Sequence, residues 1–354
     1  MLGKKSLRIA QVSPLYESVP PQWYGGTERV VAWLTEELVR MGHDVTLFAS
    51  GDSRTSARLV SACPRALRLD KECEDPLPYH IIELEQVFDE ASQFDFIHFH
   101  VDYLHYSLAE RQSVPHITTL HGRLDLRDRM PLFRTFRQVP VVSISDSQRT
   151  PVPWLNWQAT VHHGLPSDLH TFREQGGKYL LFLGRISPEK GIEQAIEIAK
   201  RSGMPLIVAA KVDRIDQTYF EEKVSPLLKA PGIDFVGEVG GPDKDELLGG
   251  AHALLFPINW EEPFGLVMIE SMACGTPVIA YPRGSVPEVI DDGVTGFLVQ
   301  GVDDAVLAVE RVANLSRREC RKRFEHRFTA TRMAQDYLNV YERIASRRRR
   351  ALTA

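Results

Sequence analysis

The chain has 354 residues, with 42 Lys and Arg against 47 Asp and Glu and a net charge of −5. Apolar residues at 43% and charged residues at 25% exclude a disordered chain, and the length suits two domains. No run approaches the eighteen or so apolar residues of a membrane span, and four scattered cysteines exclude a disulfide scaffold or a structural zinc site.

The first half alternates short apolar runs with helical patterns. LRIAQV (7–12) reads as a strand. A helix follows from Thr27, where Val30, Val31, Leu34, Leu38 and Met41 form one stripe and Gly42 ends it. Further strands are expected at 45–50, 94–99, 116–120, 141–145 and 159–163. Between 50 and 90 the helical signal is weak, so strand order is not readable. GLPSDLHTFREQGG (164–177) has the turn formers of a linker. A second series places strands at 179–184, 205–210, 233–237, 253–257 and 277–281, with helices at 191–203 and 264–275. Apolar strands separated by helices indicate α/β domains built on parallel sheets covered on both faces. In such sheets ligands sit beyond the carboxyl ends of the strands, here expected to face a cleft between the domains.

The end of the chain is basic. Residues 311–350 hold thirteen basic and four acidic side chains, a net of +9, which leaves −14 elsewhere. Arg347, Arg348, Arg349 and Arg350 close the run. Such a tail suits either a solvated helix end or weak peripheral contact with an anionic membrane. Nucleic acid is not expected, because the remainder is acidic and lacks a basic-aromatic platform. The start MLGKKSLRIAQV does not read as a secretory signal, and a cytoplasmic protein with free thiols is expected, with the inner face of the membrane as its furthest reach.

Candidate chemistry clusters at strand ends. In WYGGTERVV (23–31), Gly25 and Gly26 precede a helix whose free N–H groups suit an anion, with Glu28 in its first turn. The same residues also suit an ordinary tight helix entry. In FLGRISPEKG (182–191), Arg185 and Lys190 follow a strand. A lysine in the first turn of a helix opposes the dipole and calls for a nearby anion, so the pair suits a diphosphate. Glu189 could instead satisfy both cations. In NWEEPFGLVMIE (259–270), Glu262 stands at a strand–helix loop, and Phe264, Gly265, Leu266 and Val267 lead into the helix. Glu270 lies within its apolar run and requires hydrogen-bonding partners.

HFHVD (98–102) echoes part of the HxHxDH site of metallohydrolases, through His98, His100 and Asp102, with His116, His121 or His162 as further ligands. Tyr103 stands where the next histidine would. On a strand His98 and His100 share one face. His121 follows a strand and is placed for a cleft, as are Ser145 and Asp146, though no G-x-S-x-G elbow accompanies them. Asp243 and Asp245 read as first-turn acids, not as a metal–diphosphate site.

Taken together, GGTE (25–28), TLHG (119–122), ISDSQR (144–149), HHGLP (162–166), FLGRISPEKG, FVGEVG (235–240) and EEPFGLVMIESMACGTPVIA resemble the retaining nucleotide-sugar glycosyltransferases of the GT-B fold, glycosyltransferase family 4. The resemblance spans nearly the whole chain, and the seven residues between Glu262 and Glu270 are its most specific spacing. It implies two Rossmann-like doubly wound domains, at 1–165 and 178–325. A linker would cover 166–177, and a C-terminal helix and tail at 326–354 would return to the first domain.

The resemblance further implies hexosyl transfer from a nucleotide-diphosphate sugar, UDP before GDP, to a hydroxyl acceptor. No metal or other cofactor is expected. Gly25 and Gly26 would lie against the donor diphosphate, Arg185 and Lys190 would clamp it, and Glu270 would take the ribose. Glu262 and the backbone at 264–267 would meet the sugar, and His121 would donate to a sugar hydroxyl. Glu28, Asp102, Ser145 and Asp146 remain candidate acceptor-side or cleft residues. One departure is AAKVDRIDQTYF after the strand at 205–210, where relatives have a glycine-rich turn. The rival readings are a metal-dependent hydrolase using His98, His100 and Asp102, and a sugar-nucleotide epimerase of the same architecture.

Overall fold

The computed structural model describes residues 6–23, 25–109 and 111–353, without the side chains of 348–353. The chain divides into two compact units, residues 1–164 with 330–354, and residues 165–329.

The first unit is built on seven parallel strands: β1 Arg8–Val12, β2 Asp44–Phe48, β3 Arg58–Val60, β4 Phe96–Phe99, β5 His116–Thr119, β6 Val141–Ser143 and β7 Trp157–Thr160. Their order is β3-β2-β1-β4-β5-β6-β7. Ile9, Ala10 and Val12 of β1 and Phe96, Ile97 and Phe99 of β4 are all buried, as central strands covered on both faces require. The helix Gly26–Arg40 buries Val30, Val31, Leu34 and Leu38. It stops where Gly42 adopts φ 89° and the His43 N–H returns to the Leu38 carbonyl at 3.1 Å. The terminal helix Ala330–Thr353 packs beside it, burying Met333, Tyr337, Leu338 and Tyr341.

The second unit carries six parallel strands: β8 Leu180–Ile186, β9 Leu206–Val212, β10 Ile233–Gly237, β11 Ala253–Phe256, β12 Val278–Ala280 and β13 Gly296–Leu298. Their order, β10-β9-β8-β11-β12-β13, is the doubly wound one: the chain builds outward from β8 on one side, then crosses over to begin again at β11. Both units are therefore α/β with parallel sheets, as expected. Two three-residue strands, β3 and β13, are additional to the expected set. The last strand of the first unit begins at Trp157 instead of residue 159, because a register shift opposite β6 lets Val141 pair with Trp157 and Val142 with Ala159. Residues 77–89, where the helical signal was weak, form a helix.

All four cysteines are free thiols. Among the described residues no helix is long and apolar enough to cross a membrane. Much of the basic C-terminal charge is spent within the units. Arg317 is buried and donates to the carbonyls of Arg173, Gly249 and Ala251. Arg321 donates to the Ser167 and Ala273 carbonyls, Arg327 pairs with Asp291, and Arg332 donates to the carbonyls of His162 and His163. The side chains of Arg348, Arg349 and Arg350 lie outside the described residues.

Candidate functional site

In the second unit the reversal of strand order falls between β8 and β11, where a doubly wound sheet opens its ligand crevice. Arg185 is on the carboxyl end of β8, and Lys190 follows in the one-turn helix Pro188–Lys190. The expected helix starts later, at Ile192, because Gly191 takes φ 74° and breaks the turn from it. A Cβ at Gly191 would lie 2.0 Å from the Pro257 carbonyl oxygen, so glycine lets the two loops touch. Asn259 N–H then donates to the Glu189 carbonyl at 2.8 Å. This contact brings Lys190 Nζ within 2.6 Å of Glu262 Oε2, across the reversal. The Lys190 ammonium also lies 4.7 Å from the centre of the Trp260 ring, whose Nε1–H donates to the same carboxylate at 3.1 Å.

The segment after β12 holds the Glu262 loop in place. Ser285 N–H donates to the Glu262 carbonyl at 2.9 Å, and Ser285 Oγ donates to the Phe264 carbonyl at 2.8 Å. Gly265, at φ 80°, turns the chain into the helix Leu266–Ala273, so Leu266 and Val267 occupy its first turn, half-buried, with Phe264 buried behind them. Early N–H groups of that turn have no intrahelical acceptor.

Arg185 is surrounded by acids. Its guanidinium lies 2.6 Å from Glu189, and 3.6 Å from both Asp213 and Asp216, while Lys211 pairs with Asp213 at 3.0 Å. The segment AAKVDRIDQTYF thus supplies both aspartates beside Arg185. Glu270 is buried, and its carboxylate accepts from Lys244 Nζ at 2.6 Å. Asp243 lies in the first turn of the helix Gly241–Gly250, as read, while Asp245 accepts from His170 Nδ1 at 3.0 Å and Thr171 N–H at 2.9 Å. Sequence reasoning missed Lys244, Trp260, Asp213 and Asp216, whose contacts join separate segments of the chain.

In the first unit Gly25 is buried and Gly26 opens its helix, with a Gly25 Cβ excluded by Pro21 at 2.8 Å. Glu28 is buried within the first turn of that helix. Burial pushes its carboxyl up to about 7, and the neighbouring Glu17 adds to the shift against the pull of Arg68. Asp102 is at φ 51°, with Arg129 3.5 Å away, and burial raises its carboxyl. Ser145 is buried and accepts the Gln148 N–H at 3.1 Å, holding the turn Ser147–Arg149. Asp146 is exposed and accepts from the Thr160 hydroxyl.

His98, His100 and His121 join a buried polar chain that also contains Gln11, Thr119, Tyr337 and Tyr341. His98 faces Tyr341 at 2.8 Å and Thr119 at 2.7 Å, while His100 faces His121 at 2.9 Å and Gln11 at 2.8 Å. This corrects the hydrolase alternative. Both ring nitrogens of His98 and of His100 are engaged by neighbours, and Asp102 is turned toward Arg129, so HFHVD offers no ligand set. His116 Nδ1 meets the Val114 carbonyl at 3.3 Å, and His162 is half-buried. Burial lowers His98 and His100 well below the usual imidazole range and His121 to about 3, leaving neutral rings. Among the described residues one trio of metal-ligating type, His170, Asp245 and Cys274, comes within 4.8 Å. There the carboxylate already takes two N–H groups, and burial pushes the Cys274 thiol up to about 12.

Both units match known families. The family described as Glycosyl transferases group 1 matches residues 170–329, and Glycosyltransferase Family 4 matches residues 24–150. An uncharacterized glycosyltransferase of Methanocaldococcus jannaschii is 25% identical, covering 95% of this chain and 98% of the relative. The sucrose-phosphate synthase structure from Thermosynechococcus elongatus has a TM-score of 0.78 at 19% identity, covering 96% of this chain and 99% of its own. HepE of Anabaena, solved in complex with UDP and glucose, has a TM-score of 0.72 at 16% identity, covering 95% and 99%.

Proposed function

The chain belongs to the GT-B glycosyltransferases of group 1 and family 4, and from that premise we propose that it moves a hexosyl group from a nucleotide-diphosphate sugar to an acceptor hydroxyl. A UDP-sugar is the first choice of donor and a GDP-sugar the second, with retention of configuration and no metal. The observation that carries this reading is the Lys190–Glu262 pair, 2.6 Å apart across the reversal of the second sheet. An ammonium has three donors, so Lys190 can hold Glu262 and still offer a proton to a phosphate oxygen.

The chemistry follows from where charge develops. The bond from the anomeric carbon to the diphosphate oxygen breaks, its electrons leave with the diphosphate, and the sugar ring becomes cationic. Arg185, Lys190 and the free N–H groups at Leu266 and Val267 receive the growing negative charge, the work a divalent cation does elsewhere. Glu262 and the backbone at Phe264 and Gly265 hold the sugar, and Glu270, beside Lys244, accepts from the ribose hydroxyls. The acceptor hydroxyl attacks on the face from which the diphosphate departs, and a departing phosphate oxygen takes its proton. Gly25 and Gly26 of the first unit are assigned to the diphosphate and His121 to a sugar hydroxyl. Glu28, Asp102, Ser145 and Asp146 are the acceptor-side or cleft candidates. HepE, solved with UDP and glucose, supports UDP as the first donor to try. Contact with an anionic membrane rests on the Arg347–Arg350 tail alone.

The test is a thermal-shift and calorimetric screen of UDP, GDP, ADP and their common sugar conjugates, with and without EDTA. One nucleotide is expected to stabilise the protein with or without EDTA, by about 2.7 kcal/mol at a hundred times its Kd. Stabilisation only in the presence of a metal, or by no nucleotide, overturns the reading.

A further inference from the structure

The buried chain of side chains in the first unit has a direction, and Gln11 sets it. Gln11 is fully buried in β1 beside Ile9, Ala10 and Val12, where an amide is costly unless both its ends are bonded. Its Nε2 donates to Tyr341 Oη at 3.2 Å, and its Oε1 faces His100 Nε2 at 2.8 Å. An amide oxygen only accepts, so His100 Nε2 carries hydrogen. A neutral imidazole has one N–H, which leaves His100 Nδ1 as an acceptor. His121 Nε2 lies 2.9 Å from it and must donate. His121 Nδ1 is then bare. That atom is buried and has no hydrogen-bond partner among the described residues.

The same amide orientation fixes the other end of the chain. Tyr341 Oη, having accepted from Gln11, donates to His98 Nδ1 at 2.8 Å. His98 Nε2–H then donates to Thr119 Oγ1 at 2.7 Å, and Thr119 donates to Tyr337 Oη at 2.9 Å. Turning the Gln11 amide over would reverse every link between Gln11 and the two histidines.

We propose that Gln11, acting through His100, is a positioning residue that holds His121 as its Nε2–H tautomer, so that His121 presents an Nδ1 lone pair to a hydroxyl donor. The role expected of His121 from resemblance, donation to a sugar hydroxyl, is thereby reversed: the sugar hydroxyl donates and the ring accepts. This rests on the transferase reading only for the identity of that hydroxyl.

The experiment is a long-range ¹H–¹⁵N correlation of the histidine rings in the ligand-free, ¹⁵N-labelled full chain at neutral pH. His100 and His121 are both expected to show a protonated Nε2 and a bare Nδ1. A protonated His121 Nδ1, a charged ring or averaging between tautomers overturns the assignment. In Gln11→Leu the His121 tautomers are expected to mix, and kcat falls about tenfold with KM little changed, as befits one misdirected hydrogen bond. Unchanged His121 signals in folded Gln11→Leu overturn the role of Gln11, and the wild-type spectrum decides the tautomer even if that variant does not fold. The spectrum needs no donor, so a failed nucleotide screen removes the transferase chemistry without touching the tautomer, and the converse also holds.

Discussion

Gly284 lies directly on Glu262: a Cβ at residue 284 would stand 2.3 Å from the Glu262 carbonyl oxygen and 2.4 Å from its backbone nitrogen. Gly284 also has φ 58°, a conformation that costs other residues about 1–3 kcal/mol. The two effects act together in Gly284→Ala. The methyl group must push the Glu262 loop away, and with it the carboxylate that holds Lys190. The variant is expected to fold with a modest loss of stability and to lose roughly 10²-fold in kcat/KM, the scale of a misplaced catalytic geometry. Wild-type turnover in folded Gly284→Ala would mean that the position of Glu262 is unimportant.

Lys190→Met keeps the aliphatic stem beside Trp260 while removing the charge that pairs with Glu262 at 2.6 Å. A charge-assisted contact to the departing diphosphate is worth about 1.5–3 kcal/mol, so turnover should drop roughly tenfold to a hundredfold. Steady-state rates, with circular dichroism to verify folding, provide the check. Undiminished kcat with a correctly folded variant would remove Lys190 from the diphosphate clamp.

What could be read from the sequence, and what could not, divides along physical lines. The central strands were legible because burial on both faces leaves a continuous apolar run, as in Leu254 and Leu255 of β11. Arg58–Val60 and Gly296–Leu298 were not, since each is a short edge strand whose pairing is decided by its one neighbouring strand. Arg185, Lys190 and Glu262 stood out by charge at strand ends, and two of them do meet. Their other partners did not stand out. Asp213 and Asp216 lie on a loop 28 or more residues from Arg185, and nothing in local pattern records which loops will touch. Lys244 stands between two aspartates that read as first-turn acids, and nothing in that pattern signals that it reaches Glu270. His98 and His100 were expected on one face of a strand; their rings do lie 4.0 Å apart, though β4 ends at Phe99, and the hydrogen-bonded chain through Gln11 and Tyr341 depends on a helix more than 200 residues further along.

Arg185 offers a prediction of the opposite sign. Asp213 and Asp216 each lie 3.6 Å from its guanidinium, so an incoming diphosphate meets two carboxylates beside the cation that should attract it. Both pairs are partly exposed and screened, so the effect is modest. Asp213→Asn is expected to tighten UDP about two- to fivefold by calorimetry at low salt, with the gain shrinking as salt is added. Weaker binding would show instead that Asp213 aims the guanidinium at the ligand.

Glu28 links the first unit's helix entry to pH. Its folded carboxyl is raised from 4.5 to about 7, chiefly by burial, so the folded state holds a proton that the unfolded chain releases near 4.5. The contribution to stability is therefore fully present below about 4.5 and is lost as pH rises through about 7. Over that window the loss approaches about 3 kcal/mol for this buried group. Glu28→Gln keeps the shape and removes the titration. Urea unfolding of the two proteins should give a stability difference that moves in favour of the glutamine variant between pH 5 and 8, and then levels off. A difference independent of pH would place the Glu28 carboxyl in water with an ordinary titration. If Glu28 also serves the acceptor side, the stabilised variant should lose turnover while binding the donor nucleotide as tightly as before. That split between stability, affinity and rate separates a buried structural acid from one kept for chemistry.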